Sequence, residues 1–150
     1  MELSEAQKTL QSFWSDWQTR NPGQLPARRD MDTRHNRLHF SYVVVFDILN
    51  NPFDFKYRLV GSGVRENTFA DYTGKTLLEM DGKGPGSVIW RLLDGAVQSK
   101  QAGFQKVPYV GPNKDFMKTT LLFLPLASDH QKVDKVFLVS NFIYDSENPK

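Results

Sequence analysis

Arg58 is the residue whose surroundings point most directly to a chemical role. It follows Tyr57 inside the run Phe55 to Val60, where apolar and polar side chains alternate as in a β-strand. A guanidinium stays charged and presents a planar fork of donors, so it suits a carboxylate or phosphate ligand when a sheet holds it in place. The alternative is an ion pair with Asp47 or Asp54 on the neighbouring strand of a hairpin.

Other polar and aromatic side chains could complete such a ligand site. Thr119 and Asn141 lie in later strands and could add hydrogen bonds, although polar residues in strands often only face solvent. Trp90, in a predicted helix, either packs in the core or lines a cavity, depending on the phase of that helix. The predicted ligand-binding set is Tyr57, Arg58, Trp90, Tyr109, Thr119 and Asn141.

Residues typical of metal sites and catalysis have ordinary explanations here. The chain has no cysteine, which excludes disulfides, thiolate metal sites and thiol nucleophiles. His35 and His39 are spaced like metal ligands, but their segment is polar and a solvated pair is the simpler interpretation. His130 is interpreted as a surface residue. We therefore predict no metal site.

Ordinary structural roles also explain the candidate acidic residues, and the glycine-rich loop has two interpretations. Asp47, Asp54, Asp71 and Asp81 border turns or element ends, where capping and solvation explain them, so no enzyme is predicted. The run Gly82 to Gly86 either cradles a phosphate or forms a flexible lid over the pocket. Its spacing fits neither a Walker loop nor a dinucleotide motif.

Composition limits the classes of protein that this chain can be. Its 150 residues suit a single domain, and 39% hydrophobic with 13% aromatic residues indicate a folded core. A net charge of +2 with interspersed signs excludes an electrostatic footprint for nucleic acid. No apolar run approaches the roughly 18 residues that span a bilayer, and no secretion signal is evident, so we expect a cytoplasmic protein without a membrane partner.

The N-terminal segment, residues 1–22, has the spacing of an amphipathic helix. Ser4 and Gln7 could form a capping box at its start, and Asn21-Pro22-Gly23 ends it. We predict that this helix covers a sheet face of its own chain or of a neighbour, couples the domain to its output and forms a homodimer. The residues predicted to do so are Leu10, Phe13, Trp14 and Trp17. Residues 23–38 follow as a polar, irregular crossover.

Residues 39–146 alternate between strand and helix patterns in an order that predicts an α+β fold. Two strands, Phe40–Leu49 and Phe55–Val60, form a hairpin. Gly61 and Gly63 allow positive φ, and Gly61 or Gly63 is expected to take it in a tight reversal into short helical turns that run on through Thr76–Glu79. Pro85 is expected to open a long helix. Three strands follow, and the links predict an antiparallel five-stranded sheet with its helices on one face. The last three predicted strands are 103–110, 115–126 and 134–145.

The motif Tyr57-Arg58-Leu59-Val60-Gly61, then Phe69, then Tyr72 to Leu77, resembles a bacterial branch of the PAS-domain family of sensory modules. At the coarse level of element order the resemblance covers about residues 10–145. The chain departs from the family just before the first strand, where Thr33 to Arg37 is polar and the relatives carry prolines and an apolar run.

The resemblance implies a stand-alone PAS-like sensory or adaptor domain in bacterial signal transduction. It would bind a small ligand or a partner signalling protein such as a kinase or regulator. PAS modules that hold flavin covalently or haem through a thiolate use a cysteine, and haem-binding relatives place a ligand on or beside the long helix, which has no histidine here. No cofactor is therefore predicted. The alternatives are a ligand-free PAS module for protein–protein interaction, and a small isomerase-like enzyme.

Overall fold

A computed structural model describes residues 3–31, 37–68, 70–108 and 116–144 of the chain. Within these ranges the fold is α+β, with one five-stranded antiparallel sheet in the order β2-β1-β5-β4-β3, which confirms the predicted class. None of the helices in these ranges is long and apolar enough to cross a bilayer. The helices are α1 Glu5–Arg20, α2 Ser62–Thr68 and α3 Val88–Ser99; the strands are β1 Val43–Leu49, β2 Asp54–Val60, β3 Gly103–Pro108, β4 Phe116–Leu126 and β5 Lys135–Tyr144.

Helix α1 begins with the capping box that the sequence predicts. The Ser4 hydroxyl accepts a hydrogen bond from the Gln7 backbone amide at 3.1 Å, and the Gln7 side chain accepts one from the Ser4 amide at 3.0 Å. The helix ends at Arg20, just before Asn21 and the positive-φ Gly23 (φ 78°).

Both faces of the sheet are covered by helices of the same chain. Residues paired across antiparallel strands share a face, so Val45, Phe137 and Leu124 lie on one side. We name this side the α1 face, because the Gln7 side chain of α1 reaches Thr120 on it. The opposite α3 face carries Phe55, whose ring packs against Trp90 of α3 with centroids 4.9 Å apart. Successive residues of β1, Val43 to Phe46, are apolar although they face opposite sides of the sheet. The cover on both faces explains this pattern.

Strand β1 starts three residues later than the pattern of Phe40–Leu49 predicts. Residues His39–Tyr42 form a 3₁₀ turn instead. The Phe40 ring meets Phe137 edge-on at 5.5 Å, which places it over the α1 face rather than in a ladder. The Gly61 amide then donates to the Val43 carbonyl at 2.9 Å, so Val43 is the first residue held in the sheet.

Gly61 and Gly63 are needed for close packing and not for positive φ, so the expected conformation was wrong at both positions. Neither has a positive φ. A Cβ on Gly61 would lie 2.3 Å from the Ser41 carbonyl oxygen, and one on Gly63 would lie 2.9 Å from the Tyr42 ring. The chain at the start of α2 therefore passes directly against the 3₁₀ turn that precedes β1.

The connection from β2 to α3 is built from turns, and the helical turn expected at Thr76–Glu79 is absent. Instead, Thr76 forms a bridge with Lys56, the Tyr57 amide donates to the Lys75 carbonyl at 2.9 Å, and the Leu77 amide donates to the Phe55 carbonyl at 2.9 Å. This segment covers the outer edge of β2.

Helix α3 starts at Val88, later than the predicted opening at Pro85. Ser87 is the N-cap, and its hydroxyl accepts from the Trp90 amide at 3.2 Å. Gly86 just before it has a φ of 93°, so the chain turns sharply into the cap rather than continuing from Pro85 as helix.

The described part of the crossover is anchored by apolar side chains. Leu25, Ala27 and Met31 are buried, although the segment reads as polar overall. Its backbone pairs with the loop between β4 and β5, since the Leu25 amide donates to the His130 carbonyl at 3.0 Å. The crossover therefore packs against that loop.

Candidate functional site

The α3 face holds a cluster of aromatic rings around Tyr57 and Trp90. Tyr57 lies 4.6 Å from Phe46 and 5.5 Å from Tyr72 between ring centroids. Trp90 meets the edges of Phe55 and Phe53 at 4.9 and 5.9 Å. Tyr57 and Trp90, two members of the predicted ligand-binding set, therefore both lie on the α3 side of the sheet.

The Tyr57 hydroxyl is one of the polar groups on the α3 face without a hydrogen-bond partner in the described part of the chain. Tyr57 is 7% exposed, and its hydroxyl makes no hydrogen bond within the described part of the chain. Burial, with a smaller effect of the neighbouring Tyr72, raises the pKa of Tyr57 to about 12, so the phenol stays neutral and remains a donor. A buried polar group without a partner costs about 1–3 kcal/mol, which an acceptor from a ligand would offset.

Tyr72 packs against Tyr57, and Lys83 lies over the Tyr72 ring. The Lys83 ammonium lies 5.9 Å from the centre of the Tyr72 ring, a cation–π arrangement. Lys83 is half-buried, and this burial lowers the pKa of its ammonium. Among the described residues no carboxylate lies within ion-pair distance of it. Asp54 links the start of β2 to the segment that follows Tyr72. Its carboxylate accepts hydrogen bonds from the Phe55 and Leu78 amides at 2.7 and 3.2 Å.

Arg58 lies on the opposite face of the sheet, in the ion pair that the sequence suggested as the alternative. Its Nε lies 2.7 Å from Oδ2 of Asp47, and Lys135 Nζ lies 3.1 Å from Oδ1 of the same carboxylate. The register of β1 and β2 shifts between Val45 and Phe46, which places Arg58 at a bulge. The structure therefore separates Arg58 from the Tyr57 ring, and a role in recognition stays a prediction.

The remaining members of the predicted set are dispersed. Thr119 is buried on the α3 face and pairs with Phe142 in β5. Asn141 pairs with Thr120 and lines a cleft of about 320 Å³ between the start of α1 and the turn His39–Tyr42. Tyr109 lies outside the described residues. The predicted set is thus split between the two faces and does not form one site.

The residues predicted for coupling and dimerisation are packed against the chain's own sheet. Leu10, Trp14 and Trp17 are buried and Phe13 is partly buried. The Trp14 indole donates to the Pro125 carbonyl at 2.8 Å. These contacts shield the three buried side chains without a second copy of the chain, so a homodimer stays a prediction.

Gln7 is an important residue whose packing role the sequence did not reveal. It is fully buried, and its side-chain amide donates to the carbonyls of Thr120 and Val139. Its spacing from Leu10, Trp14 and Trp17 puts it on the buried side of α1. This spacing could have predicted that Gln7 is buried. The sequence interpretation assigned Gln7 only to the capping box with Ser4.

His130 is a second residue that the sequence placed wrongly, since it is not a simple surface residue. Its Nε2 lies 2.8 Å from Oδ2 of Asp30, and its ring stacks on Trp17 with centroids 5.0 Å apart. The partners are distant in sequence, so no local pattern could indicate this contact. It joins the crossover, the end of α1 and the loop between β4 and β5.

Comparisons with known proteins add no family to this description. No protein-family model matches the sequence. No curated protein matches it at a significant level.

Proposed function

We propose that the chain is a PAS-like sensory domain that binds a small ligand on the α3 face and signals through α1. The observation that carries this proposal is that Tyr57 is buried against the Phe46 and Tyr72 rings while its hydroxyl has no hydrogen-bond partner among the described residues. The motif around Tyr57 resembles PAS modules, and the order of the strands and helices along the chain is the one that this resemblance implies. The Phe46 and Tyr72 rings beside Tyr57 suit a ligand with an apolar body and one hydrogen-bond acceptor.

The route from this face to an output follows from the covering of the sheet. Strands β4 and β5 contact α3 on one side and α1 on the other. Gln7 and Trp14 bind α1 to backbone carbonyls of these strands, so a shift of the strands on ligand binding would move the groups that hold α1. A signalling protein such as a kinase or regulator would then recognise a change in α1 or in a homodimer formed through it.

Native mass spectrometry of the purified protein tests the ligand. We expect a mass above that of the chain, which Tyr57→Phe reduces or removes because it loses the buried hydroxyl while keeping the ring. Tyr42→Phe is the matched control, since Tyr42 is 38% exposed and lies away from the α3 face cluster. A wild-type mass equal to that of the chain alone, with no small molecule recovered after mild purification, would contradict the ligand-binding proposal.

A ligand-free interaction module is the second candidate, and the exposed strand β3 favours it. The outer edge of β2 is covered, whereas β3 is the other edge of the sheet and most of its residues are exposed. An extended segment of a partner protein could add to this edge as a further strand. Chemical crosslinking through Lys106 to a captured partner, in protein free of any bound small molecule, would favour this function over sensing.

A further inference from the structure

A second cleft lies at the end of the sheet that carries the β1–β2 hairpin, and neither Tyr57 nor Tyr72 lines it. It has a volume of about 350 Å³ and is bounded by the β1–β2 hairpin, the C-terminal end of α3 and the loop between β4 and β5. That volume falls within the range of small-molecule sites, roughly 300–1,000 Å³. The residues that line it all belong to the described part of the chain.

The floor of this cleft is apolar. It is formed by Ile48, Phe53, Val97 and Val133, of which Val133 is buried and the others are partly buried. The Phe53 ring also meets Phe55 and Trp90 edge-on, so the floor continues into the core of the protein. An aliphatic chain or ring placed here would lose water contact on one side.

The rim of the cleft is cationic. Lys100 and Lys132 line it, and neither has an ion pair within the described ranges. Acidic residues of the β4–β5 loop are engaged elsewhere, since Asp129 accepts from the Gln131 and Lys132 backbone amides at 2.9 and 2.8 Å. The two ammonium groups are therefore available to a negatively charged ligand.

We propose that this cleft binds a small amphiphilic carboxylate, with its apolar part on the floor and its carboxylate between Lys100 and Lys132. The apolar floor selects against small inorganic anions, and the cationic rim selects against neutral or cationic amphiphiles. The site is distinct from the Tyr57 site and its occupancy does not depend on the proposed sensory function.

Octanoate and its neutral analogue octanamide test the proposal. In ¹⁵N-labelled protein we expect octanoate to shift the backbone amide signals of Ile48, Phe53, Val97 and Val133 saturably. Octanamide should bind about fivefold more weakly, as expected for the loss of exposed charge pairs. Lys100→Gln and Lys132→Gln should each raise the octanoate dissociation constant about threefold and leave octanamide binding unchanged.

Lys75→Gln is the matched control, because Lys75 is exposed and does not line the cleft. It should leave octanoate binding unchanged. Val97→Thr should weaken both probes, since it puts a hydroxyl on the floor, and its spectrum reports whether the fold is kept. Equal binding of the two probes, equal effects of all three lysine changes, or shifts confined to Tyr57 and Tyr72 would each overturn the proposal.

Discussion

The side-chain amide of Gln7 donates a hydrogen bond to the backbone carbonyl of Val139, 2.9 Å away, and a second one to the carbonyl of Thr120 at 3.1 Å. One residue thereby joins the first turn of α1 to two adjacent strands. The same side chain also accepts from the Ser4 amide in the capping box. The side chain of Gln7 therefore contributes both to the cap at the start of the helix and to the attachment of the helix to the sheet.

We expect Gln7→Ala to lower the free energy of unfolding by about 1–3 kcal/mol, because it removes the buried hydrogen bonds from the side-chain amide to the Thr120 and Val139 carbonyls. Gln11→Ala is the control on the same helix, since Gln11 is partly exposed. Urea unfolding followed by circular dichroism measures both. Equal midpoints for the two variants would show that the Gln7 contacts contribute nothing beyond helix propensity.

Gly61→Ala should destabilise the protein by about 1–3 kcal/mol, since its new Cβ meets backbone atoms that cannot move aside easily. Gly95→Ala is the opposite case. Gly95 lies within α3 with nothing within 4 Å of an added Cβ, so the same change should stabilise by up to about 1 kcal/mol. Thermal melts of the two variants should move in opposite directions. A melting temperature for Gly61→Ala at or above that of wild type would contradict the close approach to Ser41.

Trp14→Glu should unfold the chain rather than only dissociate a dimer. Trp14 is 4% exposed, and a carboxylate at its position would be buried without a partner. Trp14→Phe, which loses the bond to Pro125 and part of the buried ring, should cost about 1–3 kcal/mol. Circular dichroism reports folding and light scattering reports the oligomeric state. A folded, monomeric Trp14→Glu protein from a dimeric wild type would instead assign this surface to the homodimer.

Asp30 should make stability fall at acid pH. Burial raises the pKa of its carboxyl, but the Ala27 amide and His130, with the charges of His130 and Arg29, outweigh this and hold the pKa below its ordinary value. A carboxyl with a lowered pKa stabilises the folded state above its unfolded pKa of about 4. That contribution is lost as pH falls below this value and through the lower pKa of the folded state.

Asp30→Asn should therefore flatten the pH dependence of the unfolding free energy in this acid range. Asp16→Asn, on the exposed side of α1, is the control. Urea midpoints from pH 7 down to the acid limit of folding measure the two profiles. If wild type and Asp30→Asn lose stability in parallel, the contact with His130 and Ala27 is not linked to protonation of this carboxyl.

Arg58 should contribute little to stability. Its side chain is 58% exposed, so Arg58→Ala should lower the free energy of unfolding by no more than about 1 kcal/mol. Asp47→Ala should cost more, since Asp47 is buried and pairs with Lys135 as well. If native mass spectrometry yields a ligand or a captured partner, Arg58→Lys then tests recognition, because it keeps the charge and removes the fork. Unchanged affinity in both Arg58 variants would leave the residue with its ion pair alone.

The features that could be predicted from the sequence are those that local patterns determine. Alternation identified the strands, helical spacing identified α1 and α3, and the Ser4–Gln7 capping box is a signal confined to one turn. The hairpin between β1 and β2 followed from its turn residues. Each of these depends on neighbours in the chain and not on distant contacts.

The features that were missed depend on contacts between distant segments. The bulge between β1 and β2 places Arg58 on the α1 face, and no sequence pattern indicated it. Position 61 requires glycine because the Ser41 backbone, twenty positions earlier in the chain, leaves no room for a Cβ atom. The conformation of the turn itself does not require it. Thr119 and Asn141 were grouped as one site, but Thr119 pairs with Phe142, the neighbour of Asn141, so the two side chains lie on different faces of the sheet.

The segment that pairs with β2 changes how the edge of this sheet should behave towards solvent. The Tyr57 amide donates a hydrogen bond to the Lys75 carbonyl, and the Phe55 carbonyl accepts one from the Leu77 amide. Strand β2 therefore has partners on both sides although it lies at the edge of the sheet. Amide hydrogens at Tyr57 should therefore exchange with deuterium as slowly as those of an interior strand. The outward amides of β3, at the other edge, should exchange much sooner, which makes the two ends of one sheet kinetically unequal.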